Sequence, residues 1–225
     1  MRPIHRPRVK ICCISSIDEA WLAIDHGASA LGLVSKMPSG PGVVSDELIA
    51  QIVAAVPPGV ATFLLTCEIE VGAIVEQQRR SGVNTLQFVD HLPRGAHQAL
   101  RKALPGVALI QVVHVTDEAS IDEASGIAPH VDAILLDSGN PALAVKELGG
   151  TGRVHDWRIS RQIRERIDRP IFLAGGLRPE NVGDAIRQVA PYGLDICNGV
   201  RTRGKLDAAK LADFFREVAR AAPAA

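Results

Sequence analysis

The sequence predicts an α/β fold: a (β/α)8 TIM barrel, in which eight parallel strands form a closed ring and a helix follows each strand. Short runs rich in Val, Ile and Leu alternate with longer amphipathic segments along the chain, which indicates alternating strands and helices. Eight such pairs fit into 225 residues, near the short end of the barrel's size range. The competing fold, a doubly wound open sheet, usually carries a G-x-G-x-x-G turn after its first strand, and no such turn follows strand one here.

Eight strands are predicted from the β-branched runs, at residues 8–14, 30–34, 60–65, 84–89, 107–113, 132–136, 170–174 and 193–197. Eight helices are predicted from the amphipathic segments, at residues 17–26, 45–56, 68–81, 95–103, 117–127, 157–167, 179–190 and 207–220. Ser45 stands before Asp46 and Glu47, which is typical of an N-cap followed by first-turn acids. Pro179 suits the first position of a helix, and Gly82 suits the left-handed end of one.

The chain is predicted to form a single domain over residues 1–225, because no Pro- or Ser-rich linker and no change in composition divides it. The ends, at residues 1–7 and 221–225, are expected to be flexible, and the second of them reads Ala-Ala-Pro-Ala-Ala.

Composition excludes several classes of protein. Hydrophobic residues make up 47% of the chain and charged residues 22%, which is typical of a globular protein and excludes a disordered one. The 25 basic and 25 acidic residues cancel, so we expect no broad nucleic-acid-binding surface. No apolar run reaches the ~18–20 residues of a membrane span, and the basic N-terminal segment lacks the apolar stretch of a signal peptide. We therefore expect a cytoplasmic protein with no nucleic-acid or membrane partner.

The four cysteines are Cys12, Cys13, Cys67 and Cys197, and none belongs to a C-x-x-C pair or a His-Cys cluster of zinc type. We expect no metal and no organic cofactor. In a cytoplasmic protein we also expect no structural disulfide.

In a barrel of this kind the active site forms at the C-terminal ends of the strands and in the loops that follow. Residues two apart in a strand share a face. The pairs that share a face near a strand end are Lys10 with Cys12, Gln87 with Val89, Leu135 with Asp137, and Asp195 with Cys197.

Glycines follow the last two predicted strands. Gly175 and Gly176 end strand seven, and Gly199 comes after Asn198 beyond strand eight. Because glycine has no Cβ, backbone N–H groups there can approach an anion closely, and the start of the next helix adds its positive end. These residues predict a phosphate site. The alternative is that Gly175 and Gly176 only form a tight turn.

The connection after strand six, residues 138–156, is long for a compact domain. It contains Gly149, Gly150 and Gly152, which would let it fold over a ligand. The alternative is a disordered insertion. Asp156 followed by Trp157 argues against that alternative, because the pair is typical of a capped helix start.

Several segments, taken in order, resemble the phosphoribosylanthranilate isomerase family, (β/α)8-barrel enzymes of tryptophan biosynthesis. The resemblance covers nearly the whole chain. It is carried by the strand-one motif, the strand-six acid with its following loop, and the strand-seven phosphate turn with its helix, at residues 10–12, 135–138, 149–152, 156–157, 173–177 and 179–182.

The resemblance implies an Amadori rearrangement, in which N-(5-phosphoribosyl)anthranilate becomes a 1-amino-1-deoxyribulose 5-phosphate product. It implies that Asp137 is the general acid, for which we expect a raised pKa in a poorly solvated pocket. It implies that Cys12 is a thiolate base, and Lys10 on the same face would supply the positive charge that a thiolate needs. Substrate or phosphate binding is expected at Lys10, Gln87, Gly150, Gly175, Gly176, Asp195, Asn198 and Gly199.

These residues also have structural interpretations. A strand cysteine is usually a small buried hydrophobe, an Asp at a strand end is often a helix cap, and Lys10 could pair with Asp195 without any role in a reaction. The joint placement of Cys12 and Asp137 at two strand ends favours the catalytic interpretation.

The chain departs from the family pattern near the predicted anthranilate pocket. Gly42 stands where the family has an arginine for the anthranilate carboxylate, and Lys36 is the nearby cation that could substitute for it. Val89 replaces a histidine, and Cys13 replaces a glycine.

The chain also departs from the pattern after strand eight, where Cys197 and Asn198 replace serines and Arg201 adds a positive charge that could favour an anion. The departures leave an alternative open: a divergent paralogue that acts on another phosphorylated sugar, or a catalytically silent protein that binds a phosphate ligand. In every case the expected partner is a small phosphorylated molecule. The sequence is compatible with a monomer and with a homodimer.

Overall fold

Eight parallel strands close into a barrel in chain order, with β1 hydrogen-bonded to both β2 and β8. A computed structural model describes residues 6–38, 40–139 and 152–221. The strands are β1 (Arg8–Ile11), β2 (Ala30–Val34), β3 (Ala61–Thr66), β4 (Thr85–Phe88), β5 (Ala108–His114), β6 (Ala133–Asp137), β7 (Ile171–Leu173) and β8 (Gly193–Ile196). The predicted fold class is confirmed.

A helix follows each barrel strand: α1 (Ile17–Asp25), α2 (Asp46–Ala55), α3 (Val71–Ser81), α4 (Ala96–Ala103), α5 (Ala119–Ile127), α6 (Trp157–Arg166), α7 (Pro179–Val189) and α8 (Ala208–Ala221). Short 3-10 turns lie at Ala128–His130 and Asn198–Val200. A small antiparallel pair, β9 (Arg201–Thr202) with β10 (Lys205–Leu206), precedes α8 and was not predicted. Within the described ranges, no helix is both long enough and apolar enough to cross a bilayer.

The predicted helix signals act as expected. The Ser45 hydroxyl accepts a hydrogen bond from the Leu48 N–H at 3.3 Å and so caps α2. Gly82 ends α3 with a φ of 69°, in the left-handed region that glycine tolerates. Pro179 is the first residue of α7.

Strand one is shorter than predicted, because it ends at Ile11 and not at residue 14. The Cys12 N–H still donates to the Ile196 carbonyl oxygen at 2.8 Å, but Cys13 adopts a φ of 63°, which an extended strand cannot contain. The chain therefore turns out of the sheet at Cys13, and the side chains of Cys12 and Cys13 both reach the barrel interior.

Two apolar layers surround the sheet. Large aliphatic residues pack between the strands and the helices, while a second cluster fills the inside of the barrel. In that inner cluster the rings of Phe63 and Phe172 meet edge to face at 5.7 Å between centroids. Successive side chains of each strand point alternately into the inner and the outer layer. The inward side chains at the C-terminal ends of the strands therefore surround one opening of the barrel.

Gly193 shows how tightly the interior is packed. A Cβ at this position would lie 2.5 Å from two atoms of the Phe172 ring. We expect Gly193→Ala to lower the free energy of unfolding by about 1–3 kcal/mol, because the ring has to move in a filled core. Denaturant titration measures this change.

Gly72→Ala is the matched control, because a Cβ at Gly72 in α3 meets no atom within 4 Å. Alanine is the better helix former by up to about 1 kcal/mol, so this variant should be at least as stable as the natural chain. Equal stability of the two variants would contradict the packing described here.

Candidate active site

A cavity of about 290 Å³ opens at the C-terminal ends of the strands. Its lining includes most of the residues that were predicted to bind or transform a substrate: Cys12, Gln87, Asp137, Gly175, Gly176, Asp195, Asn198 and Gly199. Lys10 lies beneath the lining and contacts two of these residues. Gly150 was also predicted here, but it falls outside the described residues.

Lys10 is fully buried and forms an ion pair inside the barrel. Its Nζ lies 2.8 Å from Asp195 Oδ1 and 3.4 Å from Cys12 Sγ. Burial alone would lower the pKa of Lys10, but the negative charges of Asp195 and Cys12 outweigh it and raise the pKa above its ordinary value. The amine is therefore a fixed positive charge next to the thiol.

Neighbouring strands make room for this charge. A Cβ at Gly32 of β2 would come within 2.8 Å of Cys12 Sγ and 2.9 Å of Lys10 Nζ, so only glycine leaves the required space. On β3, the ring of Phe63 has its centroid 5.4 Å from Nζ, within the range of a cation–π contact.

The surroundings of Cys12 favour its thiolate. A hydrogen bond from the Cys13 thiol lowers the pKa of Cys12 most strongly; burial opposes the shift, and the Lys10 charge supports it. The net effect is a pKa below the ordinary value of a cysteine. A thiolate that faces a cavity beside the Lys10 ammonium group can accept a proton from a substrate carbon.

The surroundings of Asp137 favour its acid form. Asp137 is the last residue of β6 and is buried, and burial raises its pKa, opposed mainly by the hydrogen bond that its Oδ1 accepts from the Ser138 N–H at 2.7 Å. Asp137 and Cys12 are thus shifted in opposite directions within one cavity, which is the pattern of an acid–base pair.

His114 stands beside Asp137 in the register of β5 and β6 and was not singled out from the sequence. Its Nε2 lies 3.1 Å from the Val89 carbonyl oxygen, while its Nδ1 is buried and has no hydrogen-bond partner in the described part of the chain. The signal that could have identified it is its place at the end of an apolar strand, on the same face as Ile110 and Val112.

Gln87 lines the cavity and is almost completely buried. Its Oε1 has no hydrogen-bond partner among the described residues. A buried amide oxygen without a donor costs free energy unless a ligand or a water supplies one. Gln87 is therefore placed to accept a hydrogen bond from a bound molecule.

The glycines after β7 and β8 bring two loops into close contact. Gly175 and Gly176 have φ values of 81° and 61°, and a Cβ at Gly176 would lie 2.8 Å from the Arg153 carbonyl carbon. A Cβ at Gly199 would collide with the Leu177 carbonyl oxygen. The loop after β7 can pack against the loops after β6 and β8 only because these side chains are absent. The three glycines are themselves partly exposed and line the cavity.

Arg178, the N-cap residue of α7, also lines the cavity and was not predicted as a site residue. Its Nε lies 3.5 Å from Glu180 Oε2. Its neighbour Asn181 fixes the turn, accepting from the Arg178 N–H at 2.9 Å and donating to the Gly176 carbonyl oxygen at 3.0 Å. The cation at this N-cap adds positive charge beside the glycine turn.

Arg201 has a different role from the one the sequence suggested. Its Nη1 lies 2.9 Å from Glu19 Oε1, and its Nη2 donates to the carbonyl oxygens of Cys13 at 2.6 Å and Cys12 at 3.3 Å. The side chain is largely buried by these contacts. Arg201 therefore holds the turn after β1, and its charge is paired with Glu19.

Cys13 packs against position 42 and explains why that residue is a glycine. A Cβ at Gly42 would collide with the Cβ of Cys13 and approach its Sγ to 3.0 Å. Cys13 thus occupies the space that a side chain at position 42 would need. Lys36, suggested as a substitute cation, is exposed and is not part of the cavity lining.

Across the described ranges, no group of three or more His, Cys, Asp or Glu side chains could hold a metal ion. The described lining of the cavity supplies thiols, carboxyls, side-chain amides and a guanidinium, with the Lys10 amine beneath it.

The buried ion pair gives a stability prediction. We expect Lys10→Met to lower the free energy of unfolding by about 3–5 kcal/mol, because Asp195 would stay buried without its cation. The double variant Lys10→Met with Asp195→Asn should recover most of the loss. Denaturant titration of both variants measures it.

Arg80→Met is the matched control. Arg80 forms a comparable 3.1 Å pair with Asp46, but 57% of its side chain is exposed, so its loss should cost less than about 1 kcal/mol. If both substitutions lowered the free energy of unfolding equally, burial would not explain the importance of the Lys10–Asp195 pair.

Comparisons with known proteins place the chain in a family. Residues 9–217 match the family model described as N-(5′-phosphoribosyl)anthranilate (PRA) isomerase. The chain is 35% identical to N-(5′-phosphoribosyl)anthranilate isomerase 2 of Methanosarcina mazei over 209 residues, 92% of each chain. It is 36% identical to the N-(5′-phosphoribosyl)anthranilate isomerase of Haloferax volcanii over 198 residues, 88% of this chain and 86% of that one.

Solved structures agree. The crystal structure of phosphoribosyl anthranilate isomerase from Thermotoga maritima superposes with a TM-score of 0.82 at 28% identity, covering 95% of this chain and 99% of that chain. A phosphoribosyl anthranilate isomerase crystallised with reduced 1-(o-carboxyphenylamino)-1-deoxyribulose 5-phosphate gives a TM-score of 0.80 at 26% identity, with the same coverage. The chain belongs to the N-(5′-phosphoribosyl)anthranilate isomerase family.

Proposed function

We propose that this protein converts N-(5′-phosphoribosyl)anthranilate to 1-(o-carboxyphenylamino)-1-deoxyribulose 5-phosphate, a step of tryptophan biosynthesis. One observation carries the proposal: Cys12 and Asp137, with pKa values shifted toward a thiolate and a neutral acid, line one cavity beside the glycine turns after β7 and β8. Family membership supports it, as does the product-like ligand bound by the similar structure.

In the first step, the neutral carboxyl of Asp137 donates a proton to the furanose ring oxygen. The bond between that oxygen and C1′ breaks, and the electron pair of the anthranilate nitrogen forms a C1′=N double bond, a protonated Schiff base. The raised pKa of Asp137 supports this role, because an acid must hold its proton until the substrate arrives.

In the second step, the Cys12 thiolate removes the proton from C2′. The electron pair forms a C1′=C2′ double bond and neutralises the iminium nitrogen, which gives an enolamine. The enolamine gains a proton at C1′ and loses one from the C2′ hydroxyl, which gives the ketone. A net transfer of one proton from Cys12 to Asp137 through solvent restores both groups for the next turnover. Lys10, held by Asp195, stabilises the thiolate between turnovers.

The substrate phosphate would bind where the loops after β7 and β8 meet. Gly175, Gly176 and Gly199 line the cavity there and are partly exposed, and α7 begins beside them. Asn198 lines the same part of the cavity. A phosphate fixed at this end places the ribose between Cys12 and Asp137.

The anthranilate ring would lie toward the loops after β2 and β3. Val34, Met37 and Leu65 line the cavity there and present an apolar surface to an aromatic ring. Position 42 supplies no arginine, so the proposed binding relies on the phosphate and on apolar contact more than on a carboxylate clamp. Gln87, with its unsatisfied Oε1, would accept a hydrogen bond from a sugar hydroxyl.

The direct test is turnover of synthetic N-(5′-phosphoribosyl)anthranilate, followed by the fluorescence of the anthraniloyl group. We expect Cys12→Ala and Asp137→Asn each to lower kcat by about 10²–10⁴-fold, the usual contribution of a general acid or base. Circular dichroism should show an intact barrel in both.

Cys67→Ser is the control for thiol loss, because Cys67 lies in the loop after β3 and does not line the cavity. It should turn over at the natural rate. The natural gene should also restore growth of a tryptophan auxotroph that lacks the isomerase, and the two site variants should not. Near-normal turnover by either variant would remove that residue from the mechanism.

The pH dependence follows from the two shifts. The pKa of Cys12 is lowered, so the thiolate is lost only as pH falls through that lowered value; the pKa of Asp137 is raised, so its proton is lost as pH rises through that raised value. We expect kcat/KM to fall on both sides of a maximum, with apparent pKa values that belong to the pair. A profile that is flat from about pH 5 to 9 would contradict this assignment.

A further inference from the structure

We propose that Cys13 and Cys197 form a reversible disulfide across the mouth of the cavity, and that this bond switches the enzyme to a less active state. The pairing is a property of the chain itself. Its effect on turnover rests on the proposed isomerase function.

The geometry brings the two sulfurs together. Cys13 follows β1 and Cys197 follows β8, and these strands are paired in the barrel with Ile11 opposite Ile196. The Sγ atoms are 2.8 Å apart, although 184 positions separate the residues in sequence. A disulfide requires about 2.05 Å between sulfurs, so a shift of less than about 1 Å would join them.

The site is open to a small oxidant. Both residues line the cavity, and Cys197 is only partly buried. The side chain of Arg201, which donates to the Cys13 carbonyl oxygen, places a positive charge near both sulfurs.

Cys197 meets the oxidant before Cys13 does, because Cys13 is buried and holds its proton more firmly. Its hydrogen bond to Cys12 raises its pKa most, its hydrogen bond with Cys197 adds to the shift, and burial contributes further, so Cys13 keeps its proton. The residue also has room at this position, because Gly42 presents no Cβ against it.

The reaction uses a peroxide as oxidant. The Cys197 thiolate attacks one oxygen of hydrogen peroxide, the O–O bond breaks, and hydroxide leaves, which gives a sulfenic acid. The Cys13 sulfur then attacks the Cys197 sulfur, the S–O bond breaks, and water leaves. In total two thiols lose two electrons and two protons, and one peroxide becomes two waters.

The bond would act on Cys12 directly. In the reduced protein the adjacent Cys13 thiol is the main cause of the lowered pKa of Cys12. A disulfide sulfur has no proton to donate. The base would therefore lose its strongest stabilising contact, and less of it would be thiolate at neutral pH.

The experiment compares the full chain before and after treatment with hydrogen peroxide, with dithiothreitol to reverse it. We expect oxidation to leave two of the four thiols titratable and to yield one cross-linked peptide pair containing residues 13 and 197. We expect kcat/KM at neutral pH to fall by at least about tenfold, because the base loses thiolate, and to recover on reduction.

Two variants separate this bond from other oxidation, each compared with its own reduced form. Cys197→Ser should keep its kcat/KM after the same treatment, and Cys67→Ser should lose activity and regain it as the natural chain does. Four titratable thiols after oxidation, or a cross-link between another pair, would overturn the proposal. Equal inactivation of Cys197→Ser would also overturn it, since direct oxidation of Cys12 would then be the cause.

The two proposals fail in different ways. If the reduced protein does not turn over N-(5′-phosphoribosyl)anthranilate, the proposed function fails, while the thiol count and the peptide pair still decide whether the bond forms. If the reduced protein is active and no pair forms, only the disulfide is refuted.

Discussion

The ion pair between Lys10 and Asp195 lies at the seam where the first and last strands close the barrel, and the candidate site depends on it. The two residues are opposite each other in the register of β1 and β8, and both are buried. A buried charge is tolerated only with a partner. Lys10 can therefore stay charged inside the barrel only when β1 pairs with β8 and brings Asp195 opposite it. The same ammonium group contacts Cys12. One interaction therefore connects the architecture of the barrel with the ionisation of the proposed base.

Much of the fold was predictable because its signals are local. Strand runs, amphipathic helices and caps such as Ser45 are each encoded within a few residues. The placement of Cys12 and Asp137 in one cavity was also predictable, because parallel strands in a closed ring direct their ends to one opening. Strand one was predicted too long because the left-handed turn falls on Cys13 and not on a glycine, which would have been the usual sequence signal for it.

The remaining features depend on contacts between distant loops. The sequence offered Arg201 as a cation for an anion, but its partner Glu19 lies on the helix after β1, and no local pattern pairs the two. The role of Arg178 in the cavity lining follows from the direction of the loop after β7, and the isolated Nδ1 of His114 follows from its packing. Side-chain direction in such places is set by tertiary structure and not by periodicity.

The contact of Arg201 with the turn after β1 has a consequence for how the molecule assembles. The carbonyl oxygen of Cys13 is held by a guanidinium 188 residues later in the chain, and Glu19, which holds that guanidinium, also accepts from the Leu206 N–H at 2.9 Å. During synthesis from the N-terminus, the segment with Cys12 and Cys13 leaves the ribosome first. Arg201 and Leu206, which hold that segment and the following Glu19 through hydrogen bonds, are made nearly last. The reactive turn acquires its final shape only when almost the entire polypeptide has been made, so an incomplete chain carries the thiols without the arrangement that gives them their chemistry.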